Sequence, residues 1–136
     1  MPGSLSLEDA RRLTGIAVAE SRRRGVRTAV AVVDSRGDPI VVARVDGARS
    51  YYPDVALGKA MAAALWQSDT RAIGREPGIA SVQARVNQMH GGRVVYATGG
   101  VLLRREGEIV GAIGVGGSGP DSDEEIARVA VAALDG

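Results

Sequence analysis

Residues 28–45 read TAVAVVDSRGDPIVVARV. Thr28 to Val33 is a nearly continuous apolar run, Ile40 to Val45 is a second one, and Asp34-Ser35-Arg36-Gly37-Asp38 between them is turn chemistry. Two β-branched runs joined by so short a polar segment predict an antiparallel hairpin, since a parallel partner would need a long crossover. The first run lacks the polar alternation of a half-exposed strand, so both of its faces are expected to be covered. Asp34 reads as a turn residue whose carboxylate bonds its own loop.

Working outward, the segment before the hairpin predicts a helix. Ser6 is placed to cap it, Glu8 and Asp9 suit its first turn, Leu13, Ile16 and Ala17 share a face, and Gly25 ends it. After the hairpin, Pro53 suits a first helical turn, and Val55 to Trp66 holds no breaker except Gly58. Leu57, Met61, Ala64 and Leu65 form its expected apolar stripe, while Ala60, Ala62, Ala63 and Ala64 permit close approach to a sheet. An indistinct stretch, Ser68 to Gly78, leads to a helix over Ile79–Met89. Strands are expected over Val94–Ala97, Val101–Arg104 and Ile109–Val115, the last two joined by a turn at Arg105-Glu106-Gly107-Glu108. A final helix is expected from about Asp123 to Leu134, with Ser122 and Glu125 as a capping box and Ile126, Val129, Ala130, Ala133 and Leu134 on one face. Hairpins dominate over alternating strand–helix units, so the chain predicts a single α+β domain over 1–136: an antiparallel sheet of about five strands with N-terminal, central and C-terminal helices packed on it.

Composition narrows the chemistry. The chain has no cysteine, which excludes disulfides, thiolate zinc sites, iron–sulfur clusters and a thiol nucleophile. Its single histidine, His90, excludes a site needing two imidazoles from one chain. Aromatic residues make up 3% of the chain against 45% hydrophobic, so the core must be built from small and branched aliphatic side chains. Seventeen basic residues balance sixteen acidic ones, and no strong basic patch points to nucleic acid. Arg22-Arg23-Arg24 falls where a helix should end and reads as a solvated cluster complementing the helix dipole. No apolar run approaches the roughly 18–20 residues of a membrane span, and the first residues lack a secretory apolar region, so a cytoplasmic protein is expected.

Gly114-Val115-Gly116-Gly117-Ser118-Gly119 matches a dinucleotide fingerprint in spacing only. Too little chain follows for a second strand with its ribose-binding acid, and the next helix opens on Asp121, Asp123, Glu124 and Glu125, which would repel a pyrophosphate. Tight turning and close backbone approach are the expected role of these glycines. His90, at a helix end before Gly91-Gly92, is a candidate catalytic base, haem-iron ligand or helix cap. A second group, Arg44, Asp46, Arg49, Tyr51, Tyr52 and Lys59, interrupts an otherwise apolar region between strand and helix. Tyr51 and Tyr52 are candidate proton donors or pocket walls, and Arg44, Asp46 and Arg49 candidate ligand contacts or plain solvated charges. Lys59, the chain's single lysine, lies in an alanine-rich helix and requires an anionic partner or access to water.

Several segments together resemble the GlcG/HbpS-like family, also described as haem-degrading-domain or PduO C-terminal-like. They are Ala29-Val30-Ala31-Val32-Val33-Asp34 with Gly37, Arg44-Val45-Asp46-Gly47-Ala48, Lys59-Ala60, Gly99-Gly100, Gly107 through Val115, Gly117, and Asp123-Glu124. The resemblance covers about residues 7–134. It implies a profilin-like fold, a homo-oligomer, and a pocket bordered by the Asp46-to-Lys59 segment and by Gly99 and Gly100 as ligand-binding positions. Gly116 stands where many relatives have serine, and Val101 and Leu102 where they have proline.

Three functions follow as expectations. The first is a small-ligand-binding protein for haem or a related tetrapyrrole, with His90 as axial ligand and Arg44 or Arg49 pairing with propionates. The second is a cofactor-independent isomerase, tautomerase or lyase in which His90, Tyr51 or Tyr52 moves protons and Lys59 or Arg44 holds a carboxylate. The third is a structural oligomeric accessory protein.

Overall fold

The computed structural model describes residues 4–74 and 78–134. Helix α1 spans Leu7–Arg23, with the Ser6 hydroxyl accepting the Asp9 N–H at 3.0 Å, as its capping position requires. Strands β1 (Ala29–Asp34) and β2 (Pro39–Arg44) form the expected hairpin. Asp34 Oδ1 accepts the Arg36 and Asp38 N–H groups at 2.9 and 3.0 Å, so its carboxylate is consumed by the turn. Helix α2 runs Tyr52–Trp66, followed by a short 3₁₀ turn at Thr70–Ala72. Helix α3 spans Ile79–Met89, β3 Gly100–Arg105, β4 Glu108–Gly116 and α4 Pro120–Ala132.

The fold is α+β. Among the described residues the sheet has four strands in the order β2-β1-β4-β3, all neighbours antiparallel. The expected fifth strand, Val94–Ala97, is not in the sheet. Its backbone turns instead to α2, where the Val95 N–H donates to the Gly58 carbonyl at 3.1 Å. Apolar β-branched composition marks a segment that packs, and here the packing partner is a helix that glycine leaves bare.

β1 is central and covered on both faces. Leu13, Val30, Val32, Leu103, Ile113 and Ile126 are fully buried between the sheet and the pair α1 and α4. On the other face Ala29, Ala31, Val33, Leu102 and Ala112 meet Ala56, Ala60, Met61 and Ala63 of α2. Small residues on both sides bring α2 unusually close: a Cβ on Gly114 would collide with the Ala56 carbonyl oxygen. That contact accounts for one glycine of the Gly114–Gly119 run. α2 is buried around most of its circumference rather than along the single expected stripe, and Leu57 and Leu65 are only partly buried.

The last helix begins earlier than its capping-box pattern predicts. Gly119 is the cap and Pro120 opens the helix, so Ser122 and Glu125 lie inside it. Proline at the first helical position has the fixed φ a helix start needs and no N–H to leave unpaired. The shift places Asp123 one turn inside α4, where it points inward.

Candidate functional site

Lys59 lies midway along α2 and is 3% exposed. Its Nζ donates to Asp123 Oδ2 at 2.8 Å and to the Val115 carbonyl at 3.0 Å. The other carboxylate oxygen, Asp123 Oδ1, accepts the Ser118 N–H at 2.9 Å and the Ser118 hydroxyl at 2.6 Å. The anionic partner that a buried lysine requires is therefore present, and the pair ties α2 to the end of β4 and the start of α4. Gly99 and Gly100 stand against this lysine. A Cβ on Gly99 would lie 2.8 Å from Lys59 Nζ, and one on Gly100 would collide with the Lys59 carbonyl oxygen. Gly100 is further held by its N–H donating to Thr70 Oγ1 at 2.9 Å.

The remaining residues of that group are spread out. Arg44 and Asp46 are exposed at the end of β2 and in the loop after it. Arg49 and Tyr52 line one surface hollow, together with Arg27, Gly47 and Gly117. Tyr51 is 53% exposed and lines another hollow, of about 310 Å³, with Leu57, Arg93 and Val95. The two tyrosine rings meet edge to face at 4.9 Å. Tyr51, Tyr52 and Lys59 thus do not converge on a common reacting position.

His90 caps the C-terminus of α3. Its Nδ1 is 2.8 Å from the Val86 carbonyl oxygen. A carbonyl only accepts, so in the neutral ring this contact assigns the proton to Nδ1 and leaves Nε2 with a lone pair. Fixing one ring nitrogen on a backbone carbonyl is the arrangement that presents the other to a metal. His90 lines a hollow of about 420 Å³ whose other walls are Leu65, Trp66, Val86 and Met89. Trp66 is in turn held edge to face against Tyr96 at 5.2 Å. Tyr96 donates its hydroxyl to the Gln83 carbonyl at 3.0 Å, and burial pushes its phenol pKa up. Asn87 Oδ1 accepts the Val94 N–H at 2.9 Å. These polar hooks locate α3, which has no buried residue among those described.

The sequence matches the family described as haem degrading protein HbpS-like over residues 5–132. The chain belongs to the HbpS-like family. It is 30% identical over 135 residues to the corrinoid adenosyltransferase PduO of Salmonella typhimurium, a match covering 98% of this chain and 40% of that protein. The PduO of Citrobacter freundii is 31% identical over 133 residues, covering 96% of this chain and 39% of the relative. The chain therefore spans about two-fifths of the length of these curated relatives. Among solved structures, a double mutant of Streptomyces reticuli HbpS is 31% identical with a TM-score of 0.79, covering 98% of this chain and 89% of that one. A PduOC–heme complex is 28% identical with a TM-score of 0.85, covering 98% and 96%.

For an HbpS-like chain, the hollow at His90 has a donor set suited to haem: one imidazole with a free nitrogen beside aliphatic and aromatic walls. The sequence offers His90 as a candidate but does not by itself name Leu65, Trp66, Val86 and Met89 as its surroundings. Val86 is one turn before His90 on a recognised helix, and that spacing was a usable signal. Trp66 was not legible, because it comes from a different helix. Among the described residues no cluster of three or more metal-ligating side chains occurs, and no helix is long and apolar enough to cross a membrane.

Proposed function

We propose that this chain binds haem, with His90 Nε2 as the axial ligand and Leu65, Trp66, Val86 and Met89 as the apolar wall. The observation that carries this reading is the Nδ1 contact of His90 with the Val86 carbonyl at the edge of an apolar hollow. The PduOC–heme complex, 28% identical with a TM-score of 0.85, supports it from outside the chain. Bound haem would supply iron-centred ligand and redox chemistry, and the chain's residues would hold the iron's nitrogen ligand in place and cover the macrocycle. For the propionates we assign Arg85 and Arg93 ahead of Arg44 and Arg49. Arg85 adjoins Val86 on α3 and Arg93 donates to the His90 carbonyl at 3.0 Å, whereas Arg44 and Arg49 belong to the end of β2 and the loop after it.

Titrating haemin into the purified chain tests the reading. A saturable shift of the Soret band is expected, with affinity falling at least about tenfold in His90→Ala, which corresponds to about 1.4 kcal/mol of binding free energy. No saturable shift would overturn haem binding. A shift indifferent to His90→Ala would overturn His90 as its ligand.

A further inference from the structure

The hollow that contains Arg49 and Tyr52 is separate from the one at His90, and its chemistry is different. It measures about 400 Å³ and is lined by Gly25, Val26, Arg27, Gly47, Ala48, Arg49, Tyr52 and Gly117, which bring two cations and no acid. Among the described residues neither the Arg27 nor the Arg49 guanidinium has a carboxylate partner. By contrast, Arg23, Arg24 and Arg128 each take a carboxylate at 2.6–2.9 Å.

The two arginines are also held by local structure. A Cβ on Gly47 would stand 3.1 Å from both Cδ and Nη1 of Arg27, so the Arg27 side chain lies along the bare Gly47 backbone. Gly47 has φ +83° and Gly117 φ +120°, conformations that favour glycine, and a Cβ on Gly117 would run into the Tyr52 ring. The loop carrying Arg49 is pinned at both ends. The Ala48 N–H donates to the Val45 carbonyl at 3.0 Å, and the Arg49 carbonyl accepts the Tyr52 N–H at 3.1 Å. Two unpaired guanidiniums on constrained backbone, beside an aromatic edge and without a competing carboxylate, form a fork for an oxyanion.

We propose that this hollow is a second binding site, for the carboxylate or phosphate headgroup of a small organic anion, held between Arg27 and Arg49 with Tyr52 beside it. The proposal does not depend on the haem reading, because none of its residues lines the hollow at His90.

The experiment is a nitrogen-15 NMR titration of the full chain at constant ionic strength, with sodium phosphate in one arm and sodium malonate in the other. Saturable shifts are expected at the Gly47 and Gly117 amides and at the Arg27 and Arg49 Nε–H signals. Affinity should fall about tenfold in Arg27→Ala and in Arg49→Ala, as for loss of one hydrogen bond between charged groups. Arg36→Ala, in the distant β1–β2 turn, is the control and should bind like the parent. Saturation by one anion and not the other assigns the headgroup. Non-saturating shifts, or equal weakening by Arg36→Ala, would show general charge screening and overturn the site. Arg49→Lys is the folding check and should retain part of the affinity, and unchanged affinity in both alanine variants would also overturn the proposal.

Discussion

Lys59 Nζ and Asp123 Oδ2 are 2.8 Å apart across 64 residues of sequence, and their side chains are 4% and 3% exposed. Removing one member of such a pair strands the other charge in the interior, at a cost of about 3–5 kcal/mol. Lys59→Met should therefore lose stability on that scale in urea unfolding, read as a lower midpoint at unchanged slope. Adding Asp123→Asn should recover part of the loss, because the amide oxygen still accepts from Ser118 while the stranded charge is gone. A loss under about 1 kcal/mol in Lys59→Met would instead class the contact with ordinary surface pairs.

Gly58 should break the rule that glycine-to-alanine substitutions stabilise helices. In an exposed helix Gly→Ala gains about 1 kcal/mol. Here the new methyl would lie 2.9 Å from Val95 Cβ and closer still to Val95 Cγ2. Overpacking of this kind costs about 1–3 kcal/mol, so Gly58→Ala is expected to be destabilising. The Val95 amide, which donates to the Gly58 carbonyl, should exchange with solvent faster at the same time. A higher melting temperature in Gly58→Ala would show that the segment after α3 yields without cost.

That glycine also marks where the sequence stopped being readable. Local patterns located α1, the β1–β2 hairpin, α3 and the β3–β4 pair, because caps, turns and periodicity act between near neighbours. Val94-Val95-Tyr96 has strand composition, yet its partner is a helix whose Gly58 reads in sequence only as a breaker. The capping box at Ser122 and Glu125 looked stronger than the Gly119-Pro120 start, and the misplaced boundary hid Asp123 as an inward-facing residue. Lys59 needs an anion on sequence grounds alone, but only the fold chooses among sixteen acids. The candidate site was legible as a set of residue types and not as a place: His90, Tyr51 and Tyr52 line three different hollows.

Glu20 carries a pH-dependent share of stability. Hydrogen bonds from Arg23 and then Arg24 hold its carboxyl at about 2, down from 4.5. The contacts are 2.6 to 2.9 Å long and join the end of α1 to itself. A depressed folded-state pKa means that the contribution is complete above pH 4.5 and is lost as pH falls toward about 2. Glu20→Gln should therefore melt lower than the parent at neutral pH, and the gap should close through that acid window. A gap that persists unchanged at the acid end would show that Glu20 acts through packing alone.

The hooks on α3 should control both its local stability and the placement of His90. α3 has no buried residue among those described, and Val82 and Met89 are 50% and 70% exposed, so packing alone holds it weakly. Asn87→Ala leaves the Val94 N–H without its acceptor, a loss of about 1–3 kcal/mol, and Tyr96→Phe removes the bond to Gln83, worth about 0.5–1.5 kcal/mol. Amide exchange over Ile79–Met89 should accelerate about tenfold for each 1.4 kcal/mol lost. Exchange in β1, at the centre of the sheet, should change far less. Neither Asn87 nor Tyr96 lines the hollow at His90, so haemin should bind more weakly to both variants with its Soret position unchanged. Such a result separates residues that hold the ligand from those that hold the helix. Unaltered exchange across α3 in Asn87→Ala would mean that something other than these hooks fixes the helix.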